Sequence, residues 1–395
     1  MDILYYATAS LIAFSFLVMA AYVLFPAFYR KGRRRAEKIS GNLPKVSVLK
    51  PVKNSDDELE KNLESFYTME YPDFEMVFGV ETGDDSCLPV IELVSRKYPG
   101  ITTKIVRTAP GGAINPKIES LAAMAQKSEG SLFWVTDANV RVERDTLRSL
   151  AGEWMRGAKI VYSPIRGIGS STLASIMENA NMNFFVSGNI IAALKYFNRV
   201  IIVGKSMLID RAALEAMGGF LRFGEYLAED FIMGELFLKG GHAVSTNFTW
   251  VTSFNSTSTI KSFCARLSRW AKLRYHIDKL FYLSEMLVNP ICLSLLALLY
   301  LGERGIPLLL AAAGLKVLFE YANFLFVNNE DRKKWQVHAV YPFAVVIKDI
   351  FIFAINLTPF FTSSVNWRGR EIRIGADSRI CPQAGYRRAS QLQKE

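Results

Sequence analysis

Between residues 3 and 29 the chain carries almost no charge, and a bilayer core takes roughly 20 apolar residues to cross as a helix. Asp2 precedes this stretch, and Arg30, Lys31, Arg33, Arg34 and Arg35 follow it. A cleaved signal peptide has the opposite arrangement, with positive charge before a shorter apolar core. Residues 1–29 therefore read as a retained anchor and 30–43 as a basic juxtamembrane linker. The positive-inside rule then puts the N-terminus outside and the long central region in the cytoplasm.

Two further apolar stretches, 280–301 and 306–327, flank the tight Gly302-Glu303-Arg304-Gly305 sequence. They predict a transmembrane hairpin that returns to the cytoplasm at residues 328–334. A third stretch, 340–361, holds Lys348 and Asp349 at its middle and Pro342 and Pro359 within it. Charge at membrane depth is costly unless it faces protein or water. The stretch is either a span with a buried pair or a re-entrant, interfacial element. The second form is the expected one, since it leaves the basic tail, 362–395, on the cytoplasmic side.

The central region, 44–260, alternates strand and helix. Strands are predicted at 46–49, 74–80, 103–106 and 132–135, with helices at 56–67, 87–97 and 115–127 between them. Such alternation implies an α/β domain with a mostly parallel sheet, whose ligands bind beyond the carboxyl ends of the strands. Composition narrows the partners. A net charge of +10 suits nucleic acid in a soluble protein, but the apolar spans favour anionic lipid head groups and phosphates instead. Four scattered cysteines (Cys87, Cys264, Cys292, Cys381) and three histidines argue against a disulfide framework and a thiolate or imidazole zinc site. Any metal should be held by oxygen. No G-x-G-x-x-G follows the first strand, and Gly204-Lys205-Ser206 has Arg199 where a P-loop needs glycine.

Acidic residues stand at several strand or loop ends: Asp84 and Asp85, Asp137, and the Glu229-Asp230 pair. A lone acid in such a place is more often a solvated turn or a helix cap. Asp137 differs because it directly follows a very apolar strand. Asp137-Ala-Asn139 can present two oxygens to Mg²⁺ or Mn²⁺, hard cations that also bind diphosphate. Arg266, Arg269 and Lys272 recur at helical spacing beside an apolar stripe of Phe263, Leu267, Trp270 and Leu273. Residues 261–279 thus form either a basic helix on the inner leaflet or a set of guanidiniums for a leaving diphosphate, and the two roles are compatible.

Taken in order, Val46-Ser47-Val48-Leu49-Lys50-Pro51, Asp84-Asp85, Ile114-Asn115-Pro116-Lys117, Asp137, Ala228-Glu229-Asp230 and Arg266-x-x-Arg269-Trp270 resemble the ceramide glucosyltransferases of glycosyltransferase family 21. The likeness extends to the N-terminal anchor, the apolar C-terminal region and the Trp367-Arg368-Gly369-Arg370 tail. It implies a GT-A catalytic domain and inverting transfer of one sugar, glucose first, from a UDP-sugar to a membrane lipid, ceramide first. By that resemblance Asp85, with Asp84, helps hold uridine, Lys50 and Pro51 border the uracil, and Lys117 contacts the nucleotide. Asp137, with Asn139, holds a divalent cation and the diphosphate. Asp230 is the general base, with Glu229 second, and Arg266, Arg269 and Trp270 bind diphosphate.

The acceptor side departs from the eukaryotic pattern, since no histidine lies between residues 160 and 200. Segments 182–185 and 190–194 are apolar and read equally as a lipid-facing lid or as core. Bacterial relatives of the family glycosylate other lipids, including hopanoids with an N-acetylglucosamine donor, so that reading stands as the alternative. A processive polysaccharide synthase is less favoured, because such enzymes usually carry Gln at the position of Arg266 and more spans. A non-catalytic scaffold has no chemical need for the acidic set. Sparse cysteine and short loops suit a bacterial inner membrane.

Overall fold

The computed structural model describes residues 2–36, 42–53, 58–108, 114–197, 199–247, 249–367 and 370–381. It divides into two compact units. One is α/β and contains residues 29–165 and 190–254; the other is helical and contains 1–28, 166–189 and 255–381. Segment 166–189, expected within the α/β domain, belongs to the helical unit.

The α/β unit is built on β1 (Val46–Val52), β2 (Phe74–Glu81), β3 (Thr103–Thr108), β4 (Leu132–Val135), the short β5 (Val140–Arg141) and β6 (Ile160–Tyr162). The chain leaves the unit through β7 (Ile165–Ile168) and returns for β8 (Met207–Asp210), β9 (Val244–Thr246) and β10 (Val251–Phe254). Seven strands form one sheet in the order β3-β2-β1-β4-β8-β6-β9. Pairing is parallel from β3 to β4, and β8 runs antiparallel to both β4 and β6. The sheet is thus mostly parallel, as the alternation predicts. β1 and β2 are buried almost throughout, which is why they read as unbroken apolar runs.

Helices Leu59–Tyr67 and Leu88–Lys97 turn Leu63, Phe66, Ile91 and Val94 inward. The first was expected from 56, but residues 54–57 lie outside the described residues. Helix Pro116–Gln126 starts where Asn115 accepts a hydrogen bond from the Lys117 amide, with Pro116 in the first turn. Both features favour a helix start, since the cap satisfies an orphan N–H and proline has none to lose.

In the helical unit, helix Asp2–Ala36 contains an apolar stretch, Ile3–Leu24, long enough to cross a membrane. The helix runs on past the predicted anchor into the basic residues 30–35; residues 37–41 of the linker lie outside the described set. The first arm of the predicted hairpin is not one continuous helix. It breaks into helices Lys279–Val288 and Pro290–Leu301. Pro290 disfavours helix at the residue before it, and Asn289 Oδ1 instead caps the second helix by accepting from the Ile291 and Cys292 amides. Gly302, at φ 55°, ends that helix in a backbone region that favours glycine, and helix Ile306–Val327 follows.

Stretch 340–361 lies mostly within a single helix. Residues Trp335–Asn356 form one helix with Pro342 inside it, and Trp335–Phe360 is long and apolar enough to cross. The charges at its middle are accommodated by partners on helix Ile306–Val327. Lys348 Nζ lies 2.8 Å from Glu320 Oε1 and 2.7 Å from Asp349 Oδ1. Lys316 Nζ lies 3.1 Å from Glu320 Oε1 and 3.3 Å from Asp349 Oδ2. All four side chains are buried. Two cations and two anions in contact offset a desolvation penalty that none could bear alone.

Met182, Phe184, Ile190 and Ile191 are buried, while Phe185 and Leu194 are half-buried. Helix Leu173–Asn181 continues through a π-helical turn, Met182–Val186. Strands Ser364–Trp367, Arg370–Ile374 and Ile380–Cys381 form a small antiparallel sheet. Arg368 and Gly369 of the tail motif, and residues 382–395, lie outside the described residues.

Candidate active site

The carboxyl end of β4 delivers Asp137, and β1 fixes its backbone. Lys50, fully buried, donates from Nζ to the Asp137 carbonyl at 2.7 Å and sits 3.9 Å from the Phe66 ring centroid. Its ammonium acts here as a strut beneath the site. Pro51, the next residue, is half-buried and pairs in register with Gly79.

Two more lysines converge on the Asp137 carboxylate. Lys117 Nζ is 3.4 Å from Oδ1, and Lys205 Nζ is 3.8 Å from Oδ2. Burial alone would raise the pKa of Asp137, but the Lys117 and Lys205 ammoniums outweigh it and hold the carboxyl below its usual range. Lys117 also lies 3.0 Å from Glu229 Oε1. Burial opposes its charge, yet Glu229, Asp137 and Asp230 together keep it protonated well above the ordinary lysine range.

Glu229 and Asp230 open helix Glu229–Lys239, where the N-terminal dipole favours negative charge. Their environments differ. Glu229 is buried and held on both oxygens, by Lys117 on Oε1 and by Asn115 Nδ2 on Oε2 at 3.2 Å. Asp230 is half-buried and accepts from the Phe231 amide at 2.8 Å. Burial first, then the neighbouring Glu229 carboxylate, push its pKa up to about 7, against the pull of Lys117 and two backbone amides. A carboxylate in that range is suited to accept a proton near neutral pH.

Lys205 was not among the expected residues. Its Nζ lies 3.0 Å from Asn139 Oδ1, so in this arrangement an ammonium bridges the Asp137-x-Asn139 pair. Gly204 beside it is closely approached: a Cβ there would come 2.8 Å from Lys117 Nζ and 2.9 Å from Asp230 Oδ2, so those side-chain ends would have to shift. The Gly-Lys-Ser sequence set aside as a false P-loop thus enters the acidic cluster by another geometry. Asn115, part of the Ile114-Asn115-Pro116-Lys117 motif, also enters the cluster. Its amide orients Glu229 and bonds the Tyr226 carbonyl at 2.8 Å.

No group of three or more acidic, histidine or cysteine side chains suited to a metal occurs among the described residues. One carboxylate and one amide oxygen nevertheless fit a Mg²⁺-type ion, which takes most of its ligands from water and phosphate. Asp137 and Asn139 meet that requirement for a cation arriving with a diphosphate.

The other expected residues have partners of their own. Asp85, on the exposed rim beyond β2, pairs with Arg107 at 2.6 Å, and Asp84 accepts from the Ser86 hydroxyl at 2.7 Å. Neither joins the Asp137 cluster. In the helical unit, Arg266 is ion-paired to the buried Glu178, which also accepts from Ser258. Arg269 and Trp270 are half-buried on the same helix, Ile260–Ile277. Lys272 does not continue their basic face: it is buried and donates to the Ser364 carbonyl at 2.7 Å. Nothing in the local sequence pattern marks Glu178 as a partner of Arg266.

Ceramide glucosyltransferase 1 of Caenorhabditis elegans is 28% identical to this chain over 239 residues, covering 59% of it and 50% of the relative. Ceramide glucosyltransferase 3 of the same organism is 26% identical over 244 residues, covering 60% and 52%. The chain thus spans about half the length of these curated relatives. A solved mannosyltransferase from Pyrobaculum calidifontis, in complex with GDP-Man and Mn²⁺, aligns over 86% of this chain and 99% of its own with 18% identity and a TM-score of 0.45. That likeness is too loose to bear on the site. The family model described as glycosyl transferase family 21 matches residues 10–380, nearly the whole length, and the chain belongs to that family.

Proposed function

We propose that this protein transfers one sugar, with inversion, from a UDP-sugar to the hydroxyl of a membrane lipid, using Asp230 as the general base. The observation that carries the reading is the contrast between two adjacent acids: Glu229 is held by Lys117 and Asn115, while Asp230 is poised to titrate near 7. In the proposed step Asp230 takes the proton of the acceptor hydroxyl as its oxygen attacks the anomeric carbon. The bond from that carbon to the diphosphate breaks, and its electron pair leaves with UDP. Lys117 and Lys205 supply positive charge beside Asp137, where the leaving diphosphate would gather. A divalent cation held by Asp137 and Asn139 would add further neutralisation of that diphosphate.

Glucose and ceramide are the first choices for donor and acceptor, supported by the names of the family relatives. The cytoplasmic face is favoured by the basic residues after the first span, and a bacterial inner membrane by the sparse cysteine. The test is UDP release by detergent-purified protein with UDP-glucose, UDP-galactose or UDP-N-acetylglucosamine, each with ceramide or a hopanoid polyol, in Mg²⁺ or Mn²⁺. Release that requires one sugar and one lipid, with a monoglycosylated lipid as product, is expected. A ladder of sugars would indicate a polymer synthase, and no release with no UDP binding would refute the transferase reading.

A further inference from the structure

Two helices of the helical unit begin side by side, and a seam of polar contacts joins them. Helix Leu173–Asn181 starts at Thr172 and helix Ile260–Ile277 at Thr259, each through the same reciprocal cap with a serine three residues on. Ser171 Oγ donates to the Ser256 carbonyl at 2.6 Å, and Thr172 Oγ1 donates to the Ser258 carbonyl at 2.8 Å. Further along, Glu178 reaches from the first helix to the second. One of its carboxylate oxygens is ion-paired with the Arg266 guanidinium, and the other accepts from the Ser258 hydroxyl. Asn255 continues the seam, its amide donating to Asn179 Oδ1 at 2.9 Å. Beside these polar contacts, Ile176, Met177 and Ala180 pack in one core with Phe263, Leu267 and Ala271.

Burial makes the Glu178 contact costly to lose. Its side chain is 5% exposed, against 30% for that of Arg266. A carboxylate so enclosed keeps its charge only when a cation and hydrogen-bond donors replace water. The same contact changes what Arg266 can do. A guanidinium paired with a carboxylate forms a unit of zero net charge, which attracts a further anion much less than a lone cation does. Apolar packing is non-directional. The ion pair is therefore the contact that fixes how helix Ile260–Ile277 is rotated about its own axis against its neighbour.

We propose that Glu178 is the positioning residue of the Arg266-x-x-Arg269-Trp270 motif. With Arg266 it latches the two helices in one register, and Arg266 supports donor binding through that latch, not as a ligand of the diphosphate. The latch rests on the ion pair and the seam around it; its link to the donor rests on the UDP-sugar reading above. Direct contact between Arg266 and the diphosphate predicts the opposite response to loss of Glu178, because a guanidinium released from its carboxylate attracts phosphate more strongly.

The test uses the full-length protein in detergent, with Glu178→Gln, Arg266→Gln and the two combined. Unfolding midpoints and calorimetric UDP affinities are measured for wild type and all three variants. Each single variant leaves one charge of the pair without its partner, and should lower the midpoint and weaken UDP binding about tenfold. The double variant leaves none, and its two amides can bond each other. It should regain most of the lost midpoint and bind UDP within about threefold of wild type. Tighter UDP binding by Glu178→Gln, or a double variant as weak as Arg266→Gln alone, would make Arg266 a direct ligand and overturn the proposal. Coupled midpoints with the same UDP affinity in all four proteins would leave a purely structural pair and also overturn it. Should the single variants fail to fold, the double variant decides: it folds and binds UDP under the proposal, and its failure sinks the latch. If the wild type binds no UDP, the transferase reading fails and the donor role with it. The midpoints then judge the latch alone, which stands on rescue in the double variant and falls if the single variants unfold as wild type does.

Discussion

Asp230 and Glu229 are neighbours in the chain, and their different partners separate their chemistry. With its pKa pushed up to about 7, Asp230 must lose its proton before it can serve as base. Transfer should therefore rise as pH increases through about 7 and then level off, as measured by initial rates at saturating donor. Asp230→Asn should abolish transfer at every pH while UDP still binds. The same shift has a stability consequence. The native state holds a proton that the unfolded chain releases near pH 4, so stability falls as pH rises from about 4 to 7. At pH 8 the asparagine variant should unfold at a temperature equal to or higher than wild type. A lower one would contradict the raised pKa. Lys205→Met should weaken UDP binding by about tenfold, because Asp137 would face the diphosphate with one ammonium removed; unchanged calorimetric affinity would exclude that role. Asp137 and Asp230 could be found in the sequence because both follow recognisable element boundaries. Lys205 could not, because only the antiparallel placement of β8 beside β4 carries it to Asn139, and no local periodicity encodes that pairing.

At the scale of elements, the helix Trp335–Asn356 shows what a long apolar helix needs in order to carry charge. Lys348 and Asp349 were legible as a pair in an apolar run, and their charge suggested a break. The reason they form a continuous helix is Lys316 and Glu320, one turn apart on another helix and far away in sequence. Lys348→Leu leaves two carboxylates facing one ammonium in a buried place. It should destabilise the protein by about 3–5 kcal/mol, seen as a lower unfolding midpoint in detergent; an unchanged midpoint would mean the quartet is not buried as described. Proline gave the opposite kind of error. Pro290, following a cap-forming asparagine, divides what hydropathy alone presents as one uniform span, because hydropathy does not register the backbone restriction on the residue before proline.

At the scale of the whole molecule, the chain enters the helical unit three times, with the α/β unit built in two pieces between those visits. The first and last visits were visible as long apolar stretches. The middle one, 166–189, was not, because its polar residues read as part of a soluble domain. In the fold they are satisfied within the helical unit: Asn183 bonds both the amide and the carbonyl of Gly167, and Asn179 bonds Ser170 and Asn255. The first long apolar stretch, the parallel half of the sheet and the order of the acidic motifs were legible from local pattern and resemblance. The domain partition and the lysine cage around Asp137 depend on tertiary pairing.

The configuration of the new glycosidic bond tests most directly whether transfer is a single displacement by an Asp230-activated hydroxyl. UDP-sugars of the glucose series are α-linked, so one in-line displacement must give the β-glycolipid. Proton NMR of the purified lipid product should show a single β-linked sugar. An α-linked product would contradict the displacement and with it the role assigned to Asp230.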